Sequence, residues 1–211
     1  MFLPRARPAD GATARGGAIV APVAIGKRRA TYEDLAKVPD TMVAEIIDGE
    51  LFTSRRPASP HTRVTTVLGS DLLGAFDRPP GDPASPGGSW FLVEPELHFG
   101  DDVLVPDLAG WRQSRLPVLP NVTAFTLAPD WVCEVISPST GVIDGGRKMR
   151  VYAREQVAHL WIIDPILRTL EVYRLEDGRW MVASTHAGTD VVRAEPFDAI
   201  ELRPERWWLE S

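Results

Sequence analysis

A chain of 211 residues with 44% hydrophobic and 25% charged side chains is sized for one domain with extensions and has an ordinary globular composition. Its formal net charge of −6 argues against a sequence-independent nucleic-acid binder, which is usually basic overall, while leaving room for a basic cleft on an acidic body. The single cysteine, Cys133, excludes an intrachain disulfide, no stretch reaches the ~20 apolar residues that span a bilayer, and the N-terminus makes a poor signal peptide, so a cytoplasmic protein outside the membrane is expected.

Residues 1–28 are rich in Gly, Ala, Pro and Arg without a period, which predicts a flexible N-terminal extension ahead of a folded domain over 29–211. Thr31-Tyr32-Glu33-Asp34 fits a capping-box start for a short helix through Val38, ended by Pro39. Asp48-Gly49 between two apolar runs predicts a hairpin. From Pro60 the period turns helical, with Val64, Leu68, Leu72 and Ala75 on one face and His61 near its start. A Pro/Gly/Ser loop covers 77–89. Three strands are then predicted, over Trp90–Phe99, Val103–Trp111 and Trp131–Ile136. Ser137 to Gly146 is turn chemistry, and Arg147–Val157 reads as a helix with Asp144 placed to cap it. A strand over Leu160–Ile163, a hairpin of Leu170–Leu175 and Trp180–Ser184, and a last strand near Ile200-Glu201-Leu202 complete the order. Strands in a row with two long helices predict an α+β fold with a mixed sheet.

The chemistry starts at Glu134, a carboxylate inside the apolar strand Val132-Cys133-Glu134-Val135-Ile136, where burial is costly unless the charge is paired or binds a metal. Asp107 ends a similar run, Val103-Leu104-Val105-Pro106, and Pro106 removes a ladder donor, which favours a bulge, edge or bend. Were the strands neighbours, two such charges ~4 Å apart would repel by roughly 4 kcal/mol at an effective dielectric near 20, so a proton or a cation must intervene. Mg²⁺ suits two carboxylates completed by water and phosphate oxygens. Against this, Pro-Asp is also a frequent turn dipeptide, and a strand Glu often pairs with a nearby Arg. Lys148 shares a helix face with Tyr152 by i,i+4 spacing, and beside a phosphodiester it would orient water or stabilise charge. Its neighbours Arg147, Arg150 and Arg154 read as solvated cations. Glu45, on the strand entering the hairpin turn, is either a third carboxylate or an exposed strand residue. His61 either contacts a phosphate or water or is structural. His98, His159 and His186 show no zinc spacing with Cys133, which reads as a buried structural thiol.

The runs Glu45-Ile46-Ile47-Asp48-Gly49-Glu50-Leu51, His61, Val105-Pro106-Asp107 and Pro129 to Thr140, followed by Asp144-x-x-x-Lys148-x-x-x-Tyr152 and Trp161 to Pro165, resemble the Uma-two family of putative restriction endonucleases over about residues 31–205. The resemblance implies a restriction-endonuclease-like PD-(D/E)XK core, a central mixed β-sheet flanked by helices, and Mg²⁺-dependent (or Mn²⁺-dependent) hydrolysis of phosphodiester bonds. Asp107 takes the place of the first acid and Glu134 of the second, both as metal ligands. The lysine usually stands two residues after the second acid, a position held here by Ile136, so the family pattern assigns it to Lys148 on the next helix. Glu45 and His61 match the family's extra acid and histidine. Ala44, Gln156 and Leu160 depart from the pattern, outside the metal site.

Three functions compete. The first is an endodeoxyribonuclease acting on DNA, with Asp107, Glu134, Lys148, Glu45 and His61 as its catalytic set; a homodimer would suit double-strand cleavage. The second is a non-catalytic nucleic-acid or protein-binding module, with Arg55, Arg56, Arg63, Arg147, Arg150 and Arg154 as a positive rim. The third is a hydrolase of another phosphoester.

Overall fold

The computed structural model describes residues 28–81, 85–136 and 143–209, apart from the side chains of 143–145. The expected extension therefore lies outside the described residues except at Arg28, as do the turn segment 137–142 and residues 82–84 of the expected loop.

Helix α1 (Tyr32–Leu35) starts where the capping pattern places it: the Asp34 carboxylate accepts the Thr31 backbone N–H at 3.0 Å. It is shorter than expected, ending before Val38. Strands β1 (Met42–Ile47) and β2 (Glu50–Arg55) pair antiparallel from Met42↔Arg55 to Ile47↔Glu50. The turn holds Asp48 at φ 55° and Gly49 at φ 79°, the two left-handed residues that a two-residue hairpin loop with the natural strand twist requires. Helix α2 (Ser59–Phe76) carries Pro60 in its first turn and buries Val64, Leu68, Leu72 and Phe76 along one face, with His61 on the same side.

Two expected strands are each two strands. The run 90–99 divides into β3 (Ser89–Val93) and β4 (Leu97–Phe99), and the run 103–111 into β5 (Asp102–Leu104) and β6 (Leu108–Arg112). The breaks fall at Glu94-Pro95, with Glu94 at φ 48°, and at Val105-Pro106-Asp107. Proline has no N–H for the ladder, so each chain leaves one sheet and joins another. β4 and β5 belong to a four-stranded sheet ordered β2-β1-β5-β4, whereas β3 and β6 belong to the six-stranded sheet completed below. The breaks lie side by side, with the Glu94 N–H donating to the Asp107 carbonyl at 3.1 Å.

Strand β7 (Trp131–Val135) pairs antiparallel with β6 and parallel with β8 (His159–Asp164), which makes the sheet mixed. The crossover from β7 to β8 runs through a π-helical turn (Ile143–Lys148) into α3 (Met149–Arg154). The helical run thus begins ahead of the expected Arg147 and places Asp144 within the turn instead of before it. Gln156, at φ 59°, lies just beyond its end. β9 (Thr169–Glu176) and β10 (Arg179–Ala187) form the expected hairpin and complete the order β10-β9-β8-β7-β6-β3. The expected last strand is only a bridge, Val192↔Leu202, followed by a 3₁₀ turn at Pro204–Arg206.

Both faces of the six-stranded sheet are covered at its centre, which is why β7 and β8 read as nearly continuous apolar runs. On the α2 face, Trp131, Cys133 and Val135 pack with Leu68, Trp161, Phe197 and Trp207, with Trp131 and Trp161 edge-to-face at 5.5 Å and 89°. The α3 face holds Ala109, Trp111, Val132, Tyr152, Leu160 and Ile162. Strand alternation puts Glu134 on that second face. Among the described residues, no helix is long and apolar enough to cross a membrane.

Candidate functional site

The two sheets fork at Val105-Pro106-Asp107, and the five polar residues singled out in the sequence meet there. In the β6–β7 register Leu108 faces Cys133, so one antiparallel step sets Asp107 opposite Glu134. Asp107 is held at both oxygens: Oδ2 accepts the Val135 backbone N–H at 2.6 Å, and Oδ1 lies 3.0 Å from Nε2 of His61, brought in by the first turn of α2. From the other sheet, β1 meets β5 at Ile46↔Val103, and the adjacent Glu45 accepts the Val105 N–H on Oε1 at 2.8 Å. The Val105 N–H, which leaves the ladder beside Pro106, is therefore satisfied by an acid of the site.

Lys148 turns inward. Its side chain is 2% exposed, and Nζ lies 2.9 Å from Glu45 Oε1, 2.8 Å from Glu134 Oε1 and 3.2 Å from the Val105 carbonyl. Tyr152, one turn further on, donates its hydroxyl to Glu134 Oε1 at 2.6 Å. Burial, and then the Glu134 charge, push the Tyr152 phenol well above its ordinary range, so it remains a neutral donor. Tyr152 is the member of this cluster that sequence reasoning did not assign. The signals for it were its shared helix face with Lys148 and its place in the Asp144-x-x-x-Lys148-x-x-x-Tyr152 run.

Glu45, His61, Asp107, Glu134 and Lys148 line one cavity of about 50 Å³, room for a few water-sized groups. Arg55 also lines it. Glu94 lines it too but is paired with Arg56; apart from that pair and the Arg55 guanidinium, three carboxylates against one ammonium leave two negative charges. His61 directs Nε2 at Asp107, and its buried Nδ1 has no hydrogen-bond partner among the described residues. With the proton on Nε2, Nδ1 is an open acceptor.

No three His, Cys, Asp or Glu side chains among the described residues form a ready-made metal cage. The donor set is instead two carboxylates on adjacent strands with a further acid beside them, hard oxygen ligands that leave positions for water and phosphate. This fits Mg²⁺ or Mn²⁺ better than zinc, which favours closed nitrogen and sulfur sites.

Cys133 alternates away from Glu134 into the α2-side core and is fully buried. Burial first, and then the charges of Asp107 and Glu134, push its thiol well above the ordinary range. An aromatic disulfide reagent should leave Cys133 untouched in the native protein and titrate one thiol after guanidinium unfolding. Reaction at comparable rates in both states would contradict this placement.

Most of the arginine rim is engaged by the protein itself. Arg56 pairs with Glu94 at 2.8 Å, Arg147 with Glu50 at 2.6 Å, Arg150 with Asp48 at 3.2 Å and Arg154 with Asp102 at 3.0 Å. Arg63 donates to the Arg206 carbonyl at 3.1 Å. A further buried acid, Asp130, sits at the far end of β7 and pairs with Arg112 and Arg115 at 2.6 and 3.1 Å, a structural arrangement away from the cavity.

A family model, Uma2, described as "Putative restriction endonuclease", matches residues 29–205. Among solved structures, the chain is similar to a putative nuclease belonging to DUF820 from Anabaena variabilis, at 22% identity and a TM-score of 0.67, over 85% of this chain and 97% of that one. At that identity the likeness establishes the fold alone, a mixed sheet with few helices. No curated protein matches.

Proposed function

Because this chain belongs to the Uma2 family of putative restriction endonucleases, we propose that it is a Mg²⁺-dependent endonuclease that hydrolyses phosphodiester bonds in DNA. The observation that supports this best is the charge balance of the buried cavity. Two negative charges beyond what Lys148 neutralises are held in one small space by side chains whose rotation is blocked. Such an arrangement is costly as a purely structural feature and is suited to a divalent cation.

Asp107 and Glu134 would hold the metal, with Mn²⁺ as a substitute for Mg²⁺. When bound, the metal supplies Lewis acidity at a phosphoryl oxygen and a water of lowered pKa. The protein's own contribution is preorganisation. His61 and the Val135 N–H fix the Asp107 carboxylate, and Tyr152 and Lys148 fix that of Glu134. The Lys148 ammonium has three donors, directed at Glu134, Glu45 and the Val105 carbonyl. A phosphoryl oxygen must replace one of these, and Glu45 is the exchangeable partner because its side chain is 12% exposed against 3% for Glu134. Lys148 would then stabilise charge on the phosphoryl group while Glu45 assists the water.

The test is cleavage of circular and linear DNA with Mg²⁺ or Mn²⁺, comparing wild type with Asp107→Ala. Cleavage should require the metal and fall by about two to three orders of magnitude in the variant, as expected for loss of one major charge-stabilising group. Metal-independent cleavage, or cleavage that survives the substitution, overturns the mechanism. A non-catalytic binding module is the second reading, and the internal pairing of four arginines of its expected positive rim weakens it. It predicts DNA retention without strand scission in the same assay.

A further inference from the structure

We infer that Arg55 anchors a backbone phosphate of the nucleic acid at the mouth of the metal cavity. This rests on the nuclease reading above. Arg55 is the last residue of β2, opposite Met42 at the open end of the hairpin, and it is exposed. It lines the same cavity as Asp107, Glu134 and Lys148.

Of the two cations lining that cavity, Lys148 is committed to Glu45 and Glu134. The guanidinium of Arg55 makes no hydrogen bond or ion pair among the described residues, whereas its neighbour Arg56 is held by Glu94 and the Asp40 carbonyl. A guanidinium presents a planar fork of donors that matches two phosphate oxygens and is more weakly hydrated than an ammonium.

The surrounding charges explain why one such contact matters. With Glu94 paired to Arg56 and Arg55 set aside, the cavity carries two excess negative charges, so a divalent cation brings it only to neutrality and net attraction for a polyanion falls to Arg55. The groove that continues past Val43 and Val105 is lined by Asp40, Glu94 and Glu96 against Arg56 alone, so it repels a phosphate chain. Among the residues lining the cavity, the positive charge left to draw the scissile region into place is that of Arg55. Among the described residues lining the cavity, phosphate recognition is therefore concentrated in Arg55, and the salt dependence of binding should be shallow.

The experiment measures binding of a fluorescein-labelled DNA duplex by anisotropy in magnesium, with Asp107→Ala protein so that the DNA stays intact. Salt is varied between about 50 and 200 mM, a range over which each phosphate contact adds about 0.9 to the slope of log affinity against log salt. Adding Arg55→Ala should weaken binding about tenfold at low salt and reduce the slope by about 0.9, one phosphate contact's worth. Arg55→Lys should retain the slope and recover part of the affinity, because it keeps the charge and loses the fork. In cleavage by otherwise wild-type protein, Arg55→Ala should raise KM with kcat nearly unchanged. Unpaired and exposed, Arg55 should tolerate both substitutions without a change in melting temperature, which separates lost contact from lost fold. Unchanged affinity and slope in Arg55→Ala overturn this assignment while leaving the nuclease reading intact. Absence of both DNA binding and metal-dependent cleavage in the parent proteins overturns the two together.

Discussion

Replacing Lys148 by methionine should lower the unfolding free energy by about 3–5 kcal/mol at neutral pH, the range seen when a buried ion pair is broken from one side. Methionine fills nearly the same volume and adapts to irregular space, so the loss is electrostatic more than a cavity effect. What remains is Glu134 and Glu45 without the ammonium that sits 2.8 and 2.9 Å from them, in a site where Glu134 is only 3% exposed. Water cannot compensate fully there.

A divalent cation should restore part of the deficit. Without Lys148, Glu45, Asp107 and Glu134 have no buried cation among them, and only the exposed Arg55 remains at the cavity besides the Glu94–Arg56 pair. Mg²⁺ or Mn²⁺ should therefore raise the melting temperature more in Lys148→Met than in wild type. Saturation to 100 times the dissociation constant is worth about 2.7 kcal/mol. Denaturant melts with and without metal decide this. A loss below about 1 kcal/mol would show that the acids relax toward solvent once the lysine is gone, contrary to the rigid cluster described here.

Replacing Glu134 by glutamine should separate activity from stability. The amide keeps an oxygen for the Tyr152 hydroxyl, and Lys148 keeps Glu45 and the Val105 carbonyl, so the fold should lose only about 1–3 kcal/mol. DNA cleavage should fall by about two to three orders of magnitude, because a metal ligand and its charge are removed together. Plasmid nicking in parallel with urea melts measures both quantities. Activity within about tenfold of wild type in a folded Glu134→Gln protein would remove Glu134 from the proposed metal site, since a factor of ten is only about 1.4 kcal/mol.

The two substitutions differ because the cluster has two functions in one space. Lys148 neutralises acids that would otherwise oppose folding, whereas Glu134 and Asp107 hold the charge that a metal would use. Their separation in the chain, 107 to 134 to 148, conceals this until β6, β7 and the following helical turn come together.

Some of this was legible locally. Asp48-Gly49 specifies its own turn, because two left-handed residues are needed and Asp-Gly supplies them. The helical period from Pro60 specifies α2, since its apolar face can be buried in only one way. The charge of Glu134 inside an apolar strand marked the site, because a buried carboxylate needs a partner wherever the chain folds. Other features depended on nonlocal choices. The runs 90–99 and 103–111 each look like one strand, and the prolines marked a disturbance without revealing that the chain would change sheets there. Spacing placed Lys148 on a helix with arginines on either side, but only the docking of that helix over β7 turned the lysine inward and left Arg147, Arg150 and Arg154 to acids of the β1–β2 hairpin and β5. Tyr152 became a partner of Glu134 by the same docking. The sequence by itself determined which residues carry cost when buried and where the turns fall, because propensity and desolvation act on a residue and its near neighbours. The tertiary structure alone decided which charges meet and which arginine stays open at the cavity, because pairing depends on distances that no stretch of the chain contains.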